Sequence, residues 1–168
     1  MISESLFVDF AETLISTRRS ILPKRLFEPG PNDQQIELIL SAAAAAPDHG
    51  LIRPWRFIIC TPSSRENLAD AFAKSLIARD SSVTSEQISD AKNKAYRAPF
   101  LLMGVINVRG LDSEIPAAER YISAGCAIQN ILLMAHSMGF GASPTSGKSM
   151  YMDPVRNLFK LSDEEDPL

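Results

Sequence analysis

One stretch constrains this chain more than any other. From 117 to 138 the sequence is apolar almost all round, with the small residues Ala124, Gly125 and Ala127 set among Tyr121, Ile128, Ile131, Leu132 and Met134. A helix of that composition is covered on most sides, either inside its own core or against another subunit. The chain has 168 residues and is 45% apolar, enough for one domain with a real core. One such domain struggles to cover the 117–138 helix alone, so a homodimer is expected.

Elsewhere the punctuation gives a mixed order of helices and strands, with no internal repeat or low-complexity linker. Residues 6–17 place Leu6, Phe10, Leu14 and Ile15 on one face of a helix that ends near Thr17-Arg18-Arg19-Ser20. Pro29 and Pro31 mark a turn. Asn32 with Gln35 then has the spacing of a capping box, opening a helix through Ile36, Ile39, Leu40 and Ala43 that Pro47 ends. After the turn Pro47-Asp48-His49-Gly50, residues 55–60 (WRFIIC) have the β-branched and aromatic content of a strand. Ser63 with Glu66 opens another helix carrying Leu68, Phe72 and Leu76, and Thr84 with Gln87 opens one through Ile88, Ala91 and Ala95. Residues 100–107 (FLLMGVIN) are a continuous apolar run, the pattern of a buried strand. Gly139 stops the long helix, 141–147 form a loop, and Asp153-Pro154 supplies an N-cap and first-turn proline for a short last helix. Six helices and at least two strands imply a single α+β layered domain over 1–168.

Several function classes drop out on composition. A net charge of -3 and a pI near 5.4, with the basic residues scattered, leave no electrostatic footprint for nucleic acid. The first ten residues carry Glu4 and Asp9 and lack the basic-then-apolar order of a secretory signal. The longest apolar runs, 38–46 and 100–106, are far too short to span a bilayer, so a cytoplasmic protein with no membrane partner is expected. Cys60 and Cys126 lie outside any C-x-x-C and suit reduced core thiols. His49 and His136 are the only histidines, and no metal site is expected.

The individual motifs are ambiguous. Arg18-Arg19-Ser20 is explained by cations favouring a helix C-terminus, but the same residues can grip a phosphate, the guanidinium groups bidentately and the serine through its hydroxyl. The run from Ala142 to Ser149 falls one residue short of G-x-x-x-x-G-K-[ST], with alanine where glycine is needed and Pro144 removing an amide donor. Only 20 residues follow Lys148, too few for the parallel sheet of a nucleotide triphosphatase. Gly139-Phe140-Gly141 follows a helix and reads as a helix cap, and Cys126 reads as a buried, inert thiol. His136 reads as a dipole partner or a packed side chain, whereas His49 lies in a polar turn, where ligands are often met.

Order adds what the motifs lack singly. Arg18-Arg19-Ser20 follows the first helix, Ala46-Pro47-Asp48-His49 precedes Arg53-Pro54-Trp55-Arg56-Phe57, and Arg97-Ala98-Pro99 precedes an apolar strand. Ser123-Ala124-Gly125-Cys126-Ala127 and Met138-Gly139-Phe140-Gly141 complete the set. In this order the chain resembles the nitroreductase family, especially its short single-domain bacterial members. The resemblance implies a mainly antiparallel sheet flanked by helices, with FMN at a homodimer interface. Arg18, Arg19 and Ser20 would contact the FMN phosphate and ribityl chain. Ala45, Pro47, Asp48 and His49 would reach the FMN of the partner subunit, and Ser143, Pro144 and Thr145 would lie along the same cofactor. The implied reaction is ping-pong: NAD(P)H gives a hydride to the flavin, which reduces a nitroaromatic, quinone or similar small-molecule acceptor, with no side chain as catalytic acid or base.

Two features depart from the family pattern. The loop after Gly141 reads Ser-Pro-Thr where relatives carry bulkier or basic residues, and the acidic end 162–168 (SDEEDPL) stops before the family's apolar last strand. Both departures leave a second reading open, a nitroreductase-fold protein that binds flavin or another ligand without turnover.

Overall fold

The structure is a computed structural model and describes residues 3–110, 112 and 114–168. Among these residues the chain forms six α-helices and a three-stranded antiparallel sheet, the α+β architecture expected. Helix α1 (Glu4–Thr17) starts where the Ser3 hydroxyl accepts from the Leu6 amide. Helix α2 (Asp33–Ala44) opens on the expected capping box: Asn32 Oδ1 accepts from the Gln35 amide at 3.0 Å, and Gln35 Oε1 accepts from the Asn32 amide at 2.9 Å. The next elements are β1 (Trp55–Ile59), α3 (Arg65–Arg79), α4 (Ser85–Asn93) and β2 (Leu102–Asn107). The Thr84/Gln87 capping box forms at the start of α4. Then come α5 (Ala117–Ser137), α6 (Asp153–Leu158) and β3 (Glu165–Pro167).

The register sets Phe57 opposite Gly104 and Ile58 opposite Met103, so the two faces of the sheet bury different residues. On one face Met103 and Val105 pack with Cys60, Leu68, Ala69 and Ala95 beneath α3. On the other, Trp55 and Phe57 meet Ala43 and Ala46 of the α2 end and Ala127 of α5. The sheet is thus sandwiched, which makes β2 the buried strand that its unbroken apolar run requires.

Three sequence expectations change. Ser63 and Glu66 form no capping box: Pro62 sets a short 3-10 turn (Pro62–Ser64), the Ser63 hydroxyl bonds to that of Thr61, and α3 begins at Arg65. Asp153 is the first residue of α6 rather than its cap, and its side chain accepts no capping bond. The acidic C-terminal segment, to which no strand was assigned, contains β3, which pairs with the second half of β2, Val105 opposite Pro167. Cationic and phenolic partners make that pairing possible. Arg56 forks onto Glu165 at 2.7 and 3.1 Å, and the Tyr121 hydroxyl donates to Asp166 at 2.7 Å.

Helix α5 is less covered than its composition requires. Arg120, Ser123, Ala124, Ala127 and Ala135 are buried, but Ile122 on the outer side is 67% exposed. Helix α1 carries the same signature more strongly. None of its residues is buried among those described, and Leu6, Phe7, Phe10 and Ile15 are all well exposed.

Candidate functional site

The C-terminus of α1 and the loop after α5 are held against each other. Helix α5 ends in a Schellman motif, with the Gly139 amide on the His136 carbonyl at 2.9 Å and the Phe140 amide on the Ala135 carbonyl at 3.0 Å. Gly139 takes φ +83°, a conformation that costs other residues energy, so glycine is required where the helix stops. Three residues later the chain meets the segment leaving α1: the Ile21 amide donates to the Ala142 carbonyl at 3.0 Å, and Ser20 pairs with Ala142 as a parallel bridge. Gly141 allows this approach, because a Cβ there would lie 3.0 Å from Leu26 and 3.1 Å from Ile21. The bridge brings Ser20 beside Ala142, with Arg18 and Arg19 just before it on one segment and Ser143, Pro144 and Thr145 just after it on the other.

The side chains of this cluster are unequally engaged. Arg19 folds back on its own helix end, donating to the carbonyls of Ser16 at 2.5 Å and Arg18 at 2.9 Å, which is the helix-terminus role the sequence also allowed. Arg18 is partly buried and its guanidinium has no hydrogen-bond or ion-pair partner among the described residues. Ser20 is exposed, and the Ser143 hydroxyl donates only to the neighbouring Pro144 carbonyl at 3.2 Å. A partly buried guanidinium without a carboxylate, with an exposed serine hydroxyl two residues on, suits a phosphate group.

The second predicted group sits elsewhere. Ala45 caps α2, and Asn130 of α5 donates to the Ala42 carbonyl at 3.0 Å, fixing the helix end that leads into the turn. Pro47 is exposed at the surface. Asp48 Oδ2 accepts from the Arg53 amide at 2.5 Å, and His49 Nδ1 lies 2.6 Å from Glu119 Oε2. Between these contacts Gly50, Leu51 and Arg53 all take positive φ, at +69°, +54° and +44°. Strain of this kind, two non-glycine residues within three positions, concentrates at functional segments. His49 pairs with the first turn of α5 while Thr17 touches His136 in its last turn, roughly 25 Å away at the helical rise. The two predicted groups therefore occupy opposite ends of α5 within one chain.

The 141–146 loop also walls an open groove of about 480 Å³ beneath the uncovered half of β2. Its floor is Phe57, Leu102, Ile128 and Leu132, and no charged side chain lines it, so it accepts apolar surface rather than phosphate. Among the described residues no cluster of three or more His, Cys, Asp or Glu is placed to hold a metal, and no helix is long and apolar enough to cross a membrane.

Sequence reasoning missed two buried cations. Arg65 (5% exposed) donates to the carbonyls of Cys60, Ala95, Ala98 and Pro99 at 2.6 to 3.2 Å, pinning the Ala98-Pro99 corner where β2 begins. Arg120 holds the carbonyls of Ile115 and Asp112 beneath the start of α5. Neither was singled out in the sequence. Cys60 is the buried thiol expected, and burial pushes its pKa up despite the opposing charge of Arg65.

A sequence model of the Nitroreductase family matches residues 15–168 of this chain. A Haemophilus influenzae protein named, provisionally, an NAD(P)H nitroreductase is 33% identical over 155 residues, covering 92% of this chain and 82% of its own. A nitroreductase-like family protein from Bacillus cereus has a similar fold, with TM-score 0.75 and 21% identity over 92% of this chain and 79% of that one. An FMN-dependent nitroreductase from Mycobacterium smegmatis, solved with NADPH, aligns at TM-score 0.73 and 17% identity over 96% of this chain and 85% of that one.

Proposed function

Starting from the fact that this chain belongs to the nitroreductase family, we propose that it is an FMN-dependent oxidoreductase acting as a homodimer, using NAD(P)H to reduce a nitroaromatic, quinone or similar acceptor. The observation that carries this reading is the unpartnered, partly buried Arg18 two residues before the Ser20–Ala142 bridge. Arg18 would grip the FMN phosphate bidentately and Ser20 would add a neutral hydrogen bond, while Arg19 would contribute charge and hold the helix end. Ser143, Pro144 and Thr145 would line the same cofactor. Bound there, FMN would supply the two-electron chemistry, accepting a hydride from NAD(P)H and passing it to the acceptor. The protein's part is to bind, orient and exclude water, so no side chain is assigned as an acid or base.

The second group fits a site shared between copies. His49 lies too far from Arg18 in one chain to share a single mononucleotide, so Ala45, Pro47, Asp48 and His49 would approach the FMN held by the partner subunit. The exposed apolar faces of α1 and α5 support association, since burying each large side chain contributes about 1.5 to 3 kcal/mol. We take residues 1–168 as one domain and its place of work as the cytoplasm.

The test is NAD(P)H oxidation by the FMN-loaded protein with a panel of nitro and quinone acceptors. Acceptor-dependent oxidation is expected. FMN uptake with no oxidation across the panel contradicts the catalytic reading and leaves a flavin-binding protein.

A further inference from the structure

We propose that His136 is the positioning residue that sets the two phosphate-side walls of this site, Arg18-Arg19-Ser20 and the 142–145 loop, at their working distance. The inference rests on the flavin reading above. His136 Nε2 lies 2.9 Å from Thr17 Oγ1, across 119 residues of sequence. The Thr17 hydroxyl donates its proton to the Thr13 carbonyl at 2.7 Å, so the His136 nitrogen is the donor to Thr17. Thr17 is the last residue of α1, and Arg18 follows it directly.

The backbone of the same histidine launches the other wall. Its carbonyl accepts from the Gly139 amide in the Schellman turn, and three residues after Gly139 the Ala142 carbonyl takes the Ile21 amide. These contacts form a closed circuit: Thr17 to Ser20 along one wall, across to Ala142, back through Gly139 to His136, and across the imidazole to Thr17. The Ser20–Ala142 bridge fixes the far end of the circuit and the imidazole fixes the near end. Helix α1 has no buried residue to steady it among those described. Without the ring, its last turn can pivot about the bridge, and the Arg18 guanidinium loses its aim.

The test is titration of the apoprotein with FMN and with riboflavin, which lacks the phosphate, followed by flavin fluorescence. His136→Ala should weaken FMN binding about tenfold and leave riboflavin binding unchanged, because the fault lies in the phosphate grip. His136→Gln, whose amide still offers a donor, should restore FMN binding to within about twofold. Thr17→Val should reproduce the loss, and the double variant should be no weaker than either single one. Equal losses for FMN and riboflavin, additive losses in the double variant, or no rescue by glutamine would each overturn the assignment. A wild-type protein that binds FMN alongside a His136→Ala variant that binds it equally well removes the His136 inference alone; a wild type that takes up no FMN removes the flavin reading with it.

Discussion

Arg18 and Arg65 show how differently two arginines can be used in one chain. Arg65 is buried under four backbone carbonyls, so Arg65→Met would leave those acceptors without a donor and bury no compensating charge. We expect a loss of about 3 kcal/mol or more in denaturant-induced unfolding, since each orphaned buried group carries a penalty of about 1 to 3 kcal/mol. Arg18 has no such structural duty. Arg18→Ala should leave the unfolding midpoint near wild type yet weaken FMN binding at least tenfold by fluorescence titration, with Arg18→Lys in between because an ammonium cannot fork onto a phosphate. At this scale the sequence was legible where a residue belonged to a motif and silent where its role depended on burial. The carbonyls Arg65 serves come from positions 60 to 99, and nothing local to Arg65 announces them. The inward turn of Arg19 onto its own helix carbonyls was one of two readings open in sequence, and only the folded chain separates it from Arg18.

Elements were most legible where local chemistry dictates them. The Asn32/Gln35 and Thr84/Gln87 boxes and the Gly139 stop formed as read, because each is settled within a few residues. Ser63/Glu66 has the same spacing, but Pro62 three positions before the helix start imposes a competing turn. Strand β3 was illegible because its residues are acidic; it exists through Arg56 and Tyr121, distant in sequence. The hydrogen bond from Arg56 holds the Glu165 carboxyl below its ordinary value of 4.5. A depressed carboxylate stabilises the fold above its unfolded pKa and loses that contribution as pH falls through the folded value. Backbone amides of the β2–β3 pairing should therefore exchange faster as pH drops below about 4, after correction for intrinsic rates. Arg56→Met should remove this added acid sensitivity, and an unchanged pH profile in that variant would contradict the role given to the pair. Tyr121, raised to about 12 by burial and then by its bond to Asp166, stays protonated and donating throughout this range.

At the scale of the whole molecule, the 117–138 helix implied more covering than one chain provides. In the structure α5 buries its inner side against the sheet and α2 but leaves Ile122 exposed, and α1 displays Phe7 and Phe10 to solvent. The apolar groove between β2 and the 141–146 loop adds to this open surface. Those faces, together with the separation of His49 from Arg18, are the structural grounds for a shared site between two copies. Phe10→Glu combined with Ile122→Glu should shift the protein from dimer to monomer in sedimentation velocity, and FMN binding should fall with it because half of each site is then lost. A wild type that sediments as a monomer at high concentration while binding FMN tightly would contradict the shared site. The most direct measurement is the visible absorption spectrum of the purified protein after incubation with FMN and gel filtration. A yellow protein that keeps flavin bands at about one FMN per chain and releases free FMN on denaturation is expected; a colourless protein that carries no FMN through the column would contradict the flavin site.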